Sequence, residues 1–393
     1  MGYRTLDQIS LAGRRVFMRA DFNVPLDKQD GRTITSDTRI RKALPTVETI
    51  LGRGASLVLA SHLGRPKGQR LESMSLRPVA ERLGELLGTE VALAPDCIGP
   101  EVETLADSLE PGRALLLENL RFHAQEQAND AGFSAGLARL GDAFVNDAFG
   151  TAHRAHASTV GVPAVMPDRA AGLLMQRELE YFSMATSNPR RPYVAIIGGA
   201  KISGKIDVIR NLLSLADRVL IGGAMTYTFL KASGARVGDS LVEEDRLGLA
   251  SELLEIGEGR LAFPEDHVIA DSFSADANVR TVESDVPDGW MGLDIGPRTI
   301  ESYRRILGDA RMIVWNGPMG VFEIEAFAAG TLAIARCIES VSDKAVTIVG
   351  GGDSERAIRA AGVGAAISHI STGGGASLEF LSGAVLPGVA ALA

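Results

Sequence analysis

The chain has 393 residues, of which 46% are hydrophobic, and its formal net charge is −9. This length exceeds what one hydrophobic core usually supports, so we expect two domains. The acidic balance argues against nucleic acid or an anionic membrane as a partner, because both require a basic surface. The first 167 residues are nearly neutral, with 19 Lys+Arg and 20 Asp+Glu, so this part suits an anionic substrate better than the rest.

Cysteine usage favours a reducing compartment. The chain has two cysteines, Cys97 and Cys337, which lie far apart and lack metal-site spacing. We therefore expect reduced thiols in a cytoplasmic protein. The sequence shows neither a signal-peptide pattern nor an apolar stretch of about 18 residues, so we expect a soluble, unanchored protein.

Short apolar runs alternate with amphipathic stretches throughout. This alternation predicts an α/β fold with two Rossmann-like parallel-sheet domains. The predicted strands are residues 16–18, 56–60, 114–117, 143–145, 193–197, 218–221, 312–315 and 346–349. The predicted helices are residues 38–51, 76–87, 205–215, 326–340 and 354–361.

A domain boundary is predicted after Met166-Pro167. A helical stretch over residues 171–184 leads into the turn cluster Ser187-Asn188-Pro189, before a new strand. We therefore expect domains at 1–167 and 188–393, joined by a connecting helix and hinge within 168–187.

Arginine and histidine motifs crowd the first 160 residues, each beginning where an apolar run stops. They are RADFNVP (19–25), SHLGRP (61–66), ENLRFH (118–123) and NDAFGTAHRAHAS (146–158). Ligands of open α/β sheets bind at the carboxyl ends of strands, and arginine binds phosphate or carboxylate bidentately. The candidates for one basic cluster are Arg39, Arg65, Arg121, Arg154, His62 and His156, with Asp21 and Asn23 as hydroxyl ligands. Surface salt bridges for the arginines and structural hydrogen bonds for the histidines remain open alternatives.

Glycine-rich motifs fill the remainder of the chain. They are GGAKISGK (198–205), WNGPMGVFE (315–323), GGGDS (350–354) and GGGAS (373–377). Glycine-opened helix starts present free amides to phosphate, and GGGAS suits charge on a transferring phosphoryl group. Asp353 is either a Mg²⁺ ligand or simply a helix N-cap.

The segment GAKISGK resembles the start of a P-loop, but Ile206 stands where Ser or Thr would bind Mg²⁺, so we reject that assignment. Lys201 and Lys205 are four residues apart and would share a face if helical, in reach of one polyphosphate. The alternative is a pair of solvated surface lysines. The chain has 7 Lys against 33 Arg, which favours a chemical role for these two.

Two different anion-binding sets indicate two phosphorylated ligands and therefore phosphoryl transfer. The first set offers no convincing general base. A carboxylate acceptor is already ionised at neutral pH and needs none, so positive charge and positioning can suffice. A nicotinamide dehydrogenase is excluded, because RADFNVP contains no glycine where GxGxxG is required.

The motifs, in this order and spacing, closely resemble the phosphoglycerate kinase family over essentially the whole chain. They include RADFNVP, SHLGRPKG, ENLRFH, FVNDAFGTAHRAHAS, IGGAMTYTFLK, WNGPMGVFE, VGGGDS and SHISTGGGAS. The resemblance implies a glycolytic kinase that reversibly transfers the acyl phosphate of 1,3-bisphosphoglycerate to MgADP, giving ATP and 3-phosphoglycerate. It implies Mg²⁺ as MgADP or MgATP, a monomer, and no nucleic acid or membrane partner.

The resemblance also implies residue roles. Catalysis falls to Arg39, Lys201, Gly373 and Gly374. Substrate binding falls to Asp21, Phe22, Asn23, Arg39, His62, Leu63, Gly64, Arg65, Arg121 and Arg154. Nucleotide binding falls to Gly199, Lys201, Lys205, Gly223, Gly292, Leu293, Asn316, Pro318, Glu323, Gly351, Gly352, Asp353 and Ser354. Within this set, Asp353 is the metal ligand, Glu323 binds the ribose hydroxyls, and Gly199, Gly223, Gly292 and Leu293 line the adenine pocket.

By the same resemblance, residues 1–167 bind the triose phosphate and 188–393 the nucleotide, with in-line transfer after hinge closure. The C-terminal segment, about 378–393, is expected to pack back on the first domain. A non-catalytic phosphometabolite sensor is the competing hypothesis. It predicts the loss of Lys201, Arg39 or Asp353, and all three are present.

Overall fold

The computed structural model describes residues 2–393. The chain forms two compact units. The first comprises residues up to Leu179 together with Val385–Ala393, and the second is Glu180–Ala384. No helix within residues 2–393 is both long and apolar enough to cross a membrane.

The first unit is built on a six-stranded parallel sheet. Its strands are β1 (Arg15–Arg19), β2 (Ser56–Ala60), β3 (Val91–Leu93), β4 (Ala114–Leu116), β5 (Ala143–Asn146) and β6 (Arg169–Ala171), in the order β3-β4-β2-β1-β5-β6. The central strands are buried along nearly their whole length. Parallel sheets are covered on both faces, which explains why these strands read as continuous apolar runs.

Helices cover this sheet. They are α1 (Thr38–Gly52), α2 (Arg77–Leu87), α3 (Pro100–Asp107), α4 (Ala124–Gln127), α5 (Ala131–Ala138) and α6 (Val162–Val165). Helix α7 (Leu173–Ser187) follows and contains the division between the two units. It covers most of the stretch predicted as the connecting helix.

The second unit contains two sheets. Its strands are β7 (Tyr193–Ile197), β8 (Arg218–Ile221), β9 (Leu261–Ala262), β10 (His267–Ala270), β11 (Val279–Val282), β12 (Met291–Ile295), β13 (Met312–Asn316), β14 (Val346–Gly350) and β15 (His369–Ile370). Six of them form a parallel sheet in the order β15-β14-β13-β7-β8-β9. The two six-stranded parallel sheets confirm the predicted α/β class.

A small antiparallel sheet, in the order β11-β10-β12, was not predicted. The prediction of parallel sheets alone was therefore incomplete. Strand β11 is largely exposed, and the pairing of β10 with β12 is interrupted by a bulge between Val268 and Ile269. Exposed and bulged strands do not produce the continuous apolar runs on which the prediction depended.

The helices of the second unit are α8 (Ile206–Leu215), α9 (Met225–Ala232), α10 (Leu247–Ile256), α11 (Pro297–Gly308), α12 (Ala329–Glu339), α13 (Gly352–Ala361) and α14 (Gly374–Leu381). The last helix, α15 (Pro387–Ala390), belongs to the first unit. Both cysteines are free, as predicted, and both are buried.

Each parallel sheet has a point at which the strand order reverses. Strand β1 lies between β2 and β5, and β7 lies between β8 and β13. Chain segments that leave adjacent strands at such a point turn to opposite faces, which opens a crevice at the carboxyl edge. Both sets of candidate residues follow strands that border these points.

Candidate functional site

The first polar cluster lies at the carboxyl edge of β1 and β2. Arg39, on α1, donates to the buried carboxylate of Asp21. Burial raises the pKa of Asp21, but the Arg39 guanidinium opposes this most strongly, and that pKa falls to about 2. Asp21 is therefore an ionised acceptor. Asn23 joins the loops after β1 and β2, because its Oδ1 accepts from the Gly64 amide at 2.9 Å.

A buried arginine that sequence reasoning did not select organises this cluster. Arg19, the last residue of β1, is 1% exposed. Its Nε donates to Ser158 Oγ at 2.9 Å, and Ser158 Oγ donates to Glu126 Oε1 at 2.6 Å. Glu126 also accepts from the Ser158 amide at 3.0 Å. One feature of the sequence could have identified Arg19: it is the first residue of RADFNVP, so a cation ends a strand whose other residues are mostly apolar.

Both candidate histidines lie in the cluster and are neutral. Burial, with Arg19 and Arg121 nearby, holds the pKa of His62 well below its usual value. Burial followed by Arg19 lowers the pKa of His156 to about 4. Arg19 Nη2 lies 3.1 Å from His62 Nδ1. A guanidinium can only donate, so the neutral His62 ring carries its proton on Nε2.

Two further arginines, Arg121 and Arg154, add positive charge to this cluster. Arg121 Nη1 donates to Gly64 O at 2.7 Å. Burial, then Arg19 and Arg154, lower the pKa of Arg121 to about 10, so it remains a cation under repulsion from its neighbours. Arg154 is half-buried and Arg65 exposed. Clustered like charges in a crevice attract an anion.

Two apolar residues of the predicted set shape the backbone here. The side chains of Phe22 and Leu63 are buried. The Phe22 amide donates to Ser61 Oγ at 2.8 Å, and the Leu63 amide donates to Asn119 Oδ1 at 3.2 Å. These residues fix the loops after β1 and β2 through their main chain.

In the second unit, Lys205 lies at the ends of β7 and β13, where the strand order reverses. Its Nζ donates to Gly198 O at 2.5 Å and to Asn316 O at 3.2 Å, which are the carbonyls that follow or end β7 and β13. Burial lowers the pKa of Lys205 to about 8, against the opposing effect of Asp353. The ammonium is therefore held at the crevice by backbone carbonyls rather than by a carboxylate.

The shared helical face expected for Lys201 and Lys205 is absent from the described structure. Helix α8 begins at Ile206, and Lys205 is its N-cap. The loop before it is fixed by Glu243, whose Oε2 accepts from the Ile202 amide at 2.6 Å. Lys201 stands exposed on that loop. Anchoring by a distant acid is a tertiary effect that spacing along the chain does not reveal.

The two triple-glycine segments lie together. A Cβ added to Gly374, at the start of α14, would lie 3.2 Å from the Cα of Gly351. Gly351, with φ 93°, is the N-cap of α13, and Asp353 lies in the first turn. The alternative that Asp353 is the N-cap is therefore wrong. Gly373 is the N-cap of α14, so both helix starts open at one place.

Several predicted nucleotide residues connect the neighbouring loops. The Gly317 amide donates to Ser354 Oγ at 2.7 Å, and Asn316 Nδ2 donates to Gly350 O at 3.0 Å. The Gly199 amide donates to Pro318 O at 2.9 Å. The loops after β7, β13 and β14 are thus held together around the start of α13, which also contains Gly352.

The predicted adenine residues line a narrow cleft. Gly223, Gly292 and Leu293 border it with Tyr227. A Cβ on Gly292 would lie 1.7 Å from Tyr227 Oη, and one on Gly223 would lie 2.4 Å from the Gly199 nitrogen. Glycine is therefore required sterically at Gly223 and Gly292, and Gly199 adjoins the cleft.

The two acids expected to bind the metal and the ribose share one arginine. Arg356 Nη2 donates to Asp353 Oδ1 at 2.8 Å and to Glu323 Oε1 at 2.9 Å. Its guanidinium lies 5.4 Å from the Phe322 ring centroid. Arg356 lies two residues beyond the end of GGGDS and outside every other motif, which explains why it was not predicted.

Asp353 fits a magnesium ligand by its chemistry. Mg²⁺ prefers one or two carboxylates and completes its shell with substrate phosphates, and Asp353 lies half-exposed beside two helix starts that suit phosphate. A different group of possible metal donors, Asp96, Cys97 and His123, is already satisfied. Asp96 accepts from His123 at 2.6 Å, and Cys97 donates to Glu118 O at 3.0 Å. Burial raises the pKa of the Cys97 thiol well above its usual value, so the thiol stays protonated.

Comparisons with known proteins identify the family of this chain. The family model described as phosphoglycerate kinase matches residues 6–384. The phosphoglycerate kinase of Chloroherpeton thalassium is 54% identical, with 100% of this chain and 99% of the relative covered. The chloroplastic phosphoglycerate kinase 1 of Arabidopsis thaliana is 55% identical, with 98% of this chain and 81% of the relative covered.

A solved structure is also similar. The structure of phosphoglycerate kinase from Coxiella burnetii matches with a TM-score of 0.90 and 40% identity, covering 100% of this chain and 99% of the solved one. Similarity of this extent covers both units, both crevices and every motif described above. The chain belongs to the phosphoglycerate kinase family.

Proposed function

We propose that the two clusters divide the reaction of this family between them, with the triose phosphate on the first and the nucleotide on the second. The reaction is the reversible transfer of the acyl phosphate of 1,3-bisphosphoglycerate to MgADP, which gives ATP and 3-phosphoglycerate in glycolysis. One observation supports this division: each parallel sheet has a polar cluster at the point where its strand order reverses.

The arginine cluster suits 3-phosphoglycerate. Arg65, Arg121 and Arg154 supply the charge for its phosphate, with neutral His62 as a hydrogen-bond donor through Nε2. Asp21 and Asn23 accept from the glycerate hydroxyl. Arg39 faces the reacting carboxyl, and Phe22, Leu63 and Gly64 supply the surrounding main chain.

The second cluster suits MgADP or MgATP. The adenine base is assigned to the cleft bordered by Gly292 and Leu293, and Glu323 accepts from ribose hydroxyls. Lys205 and the start of α13 offer positive charge to the phosphates. Asp353 would hold the Mg²⁺, which when bound neutralises charge on the phosphate oxygens. Gly199, Gly223, Asn316, Pro318, Gly351, Gly352 and Ser354 shape the loops around these ligands.

Transfer then depends on positive charge and alignment. The 3-phosphoglycerate carboxylate needs no deprotonation, so none of the residues named has to act as a base. Arg39, Lys201 and the amides of Gly373 and Gly374 stabilise the negative charge that the moving phosphoryl group carries. Ligands held on separate domains must approach within roughly 3 to 3.5 Å, so we infer in-line transfer after hinge closure.

We assign the triose domain to 1–167, the connector to 168–187 and the nucleotide domain to 188–393, with about 378–393 returning to the first domain. Contacts of Gly388 within the first unit support the last assignment from Val385 onward, whereas the residues up to Ala384 lie in the second unit. The Gly388 amide donates to Ala152 O at 2.8 Å, and Asn146 Nδ2 donates to Gly388 O at 3.3 Å. We further propose a cytoplasmic monomer without nucleic-acid or membrane partners, supported by the acidic charge and by the bacterial relative.

The test has two parts. A coupled assay with 3-phosphoglycerate and MgATP should show turnover. Calorimetry should then show that Arg121→Ala weakens 3-phosphoglycerate binding at least about tenfold, as expected for a lost charge-assisted hydrogen bond, while sparing MgADP. Asp353→Asn should weaken MgADP binding and spare 3-phosphoglycerate.

Matched controls exist for both variants. Arg113→Ala removes an exposed arginine of the first unit, and Glu355→Gln changes an acid on the same turn of α13 as Asp353. Equal losses for both ligands in Arg121→Ala or Asp353→Asn would contradict the proposed division.

A further inference from the structure

Arg356 lies where the nucleotide is proposed to bind, but none of the motifs includes it. A single nitrogen, Nη2, donates to both Asp353 and Glu323 at 2.8 and 2.9 Å. The hydrogen bond to Asp353 is the largest of the effects that raise the pKa of Arg356. The guanidinium is thus a permanent cation between two acids.

The charge balance of this region follows from these contacts. Asp353 and Glu323 bring two negative charges to a site that must accept a polyanion. Arg356 offsets one of them at hydrogen-bond distance. Lys205, the other cation whose pKa responds to Asp353, is bonded to the carbonyls of Gly198 and Asn316. Arg356 is therefore the direct counter-ion of both acids.

We propose that Arg356 determines how strongly the site distinguishes MgADP from metal-free ADP. The inference rests on the roles proposed above for Asp353 and Glu323. Metal-free ADP lacks the two positive charges of Mg²⁺, so the acids repel it more than they repel MgADP. Arg356 partly neutralises the acids and reduces this repulsion. It also competes with Mg²⁺ for Asp353, which weakens MgADP binding.

Removal of Arg356 should therefore act oppositely on the two forms of the nucleotide. Arg356→Ala leaves both acids uncompensated, so metal-free ADP binds more weakly and MgADP at least as tightly. The three side chains are about half exposed, at 56%, 48% and 64%, so the effect is moderate. We expect the ratio of the two dissociation constants to rise about three- to fivefold, the range of a partly screened ion pair.

The experiment is calorimetric titration of ADP in EDTA and in saturating Mg²⁺. Wild type is compared with Arg356→Ala, Arg356→Lys and Arg359→Ala. Arg359 is the matched control, because it lies one turn further along α13 and pairs with Glu355 at 2.8 Å. Arg356→Lys keeps the charge without the planar guanidinium, so its ratio should stay near that of wild type.

Salt provides a second readout that a merely structural role would not affect. The difference in ratio between wild type and Arg356→Ala should shrink in about 1 M salt, because exposed charges are screened beyond about 3 Å there. Weakening of both nucleotide forms by the same factor, an unchanged ratio in Arg356→Ala, or an equal rise in Arg359→Ala would overturn the proposal.

The variant Asp353→Asn tests the proposed metal ligand independently of the role of Arg356. If Asp353 holds the metal, Asp353→Asn should lower the preference for MgADP over metal-free ADP. An unchanged preference would remove Asp353 from metal binding whatever Arg356 does. A lowered preference in Asp353→Asn together with an unchanged ratio in Arg356→Ala would refute only the role of Arg356.

Discussion

Arg39 donates a hydrogen bond to the buried carboxylate of Asp21, so two residues with separately proposed roles form one ion pair. Asp21 is 8% exposed in its side chain and Arg39 is 33% exposed. The more buried partner depends on the more exposed one, because burial alone would raise the pKa of Asp21. A change at Arg39 should thus affect both the reacting carboxyl and the hydroxyl ligand.

Arg39→Lys is the first test. We expect a folded protein whose kcat falls at least about a hundredfold, because a point charge replaces a planar group that can contact Asp21 and the substrate together. Steady-state kinetics in the coupled assay measures this. Arg41→Lys, on the same helix but paired with Asp37, is the control and should retain wild-type kcat. Near wild-type kcat in Arg39→Lys would remove Arg39 from the mechanism.

Lys201→Ala should lower kcat more than it raises the KM for nucleotide. Lys201 is exposed on a loop that Glu243 fixes, so its contact with the phosphoryl group can form during transfer. Initial rates over a range of MgATP concentrations separate the two constants. Lys231→Ala, which breaks only the pair with Glu244, is the matched control. Unchanged kcat with a raised KM would make Lys201 a simple binding residue.

Asp294, beside the cleft for the base, predicts a pH dependence of stability. Burial raises the pKa of its carboxyl from 3.8 to about 7. Between about pH 4 and pH 7 the folded protein therefore keeps a proton that the unfolded chain has released. The resulting contribution to the free energy of unfolding is complete below about pH 4 and is lost as the pH rises through about 7.

Asp294→Asn cannot titrate, so its free energy of unfolding relative to wild type should rise by on the order of 2 to 4 kcal/mol between pH 4 and pH 8. Denaturant unfolding at several pH values measures this difference. Asp288→Asn, an exposed replacement in the same unit, is the control. Parallel pH profiles for Asp294→Asn and wild type would show that Asp294 is ionised in the fold.

Domain closure should be visible in solution. No single ligand is proposed to contact both domains, so the closed state should be favoured most when both ligands are bound. Small-angle scattering should show the largest fall in radius of gyration with 3-phosphoglycerate and a non-reactive ATP analogue together. A radius that stays constant across the free, binary and ternary states would refute closure and leave the binding residues untouched.

The sequence predicted well those strands and helices whose pattern of apolar residues is visible within the element itself. The strands predicted at 56–60, 193–197 and 218–221 have the observed bounds, because a parallel strand buried on both faces must be a continuous apolar run. Strand β11 escaped prediction because its exposed side chains carry no such pattern. Helix α8 was expected one residue early, at Lys205, because the sequence pattern does not show the non-helical backbone of this N-cap residue, whose φ is −133°.

The sequence by itself determined the α/β class and the family, since both depend on residue types at fixed spacing, and it predicted the two anion-binding sets. Only the tertiary structure decided which charges meet. The pairing of Arg39 with Asp21, the burial of Arg19 and the bridge from Arg356 to Asp353 and Glu323 were absent from every motif. Apolar periodicity records burial along one element, whereas the pKa and partner of a charged side chain depend on residues brought near it by folding.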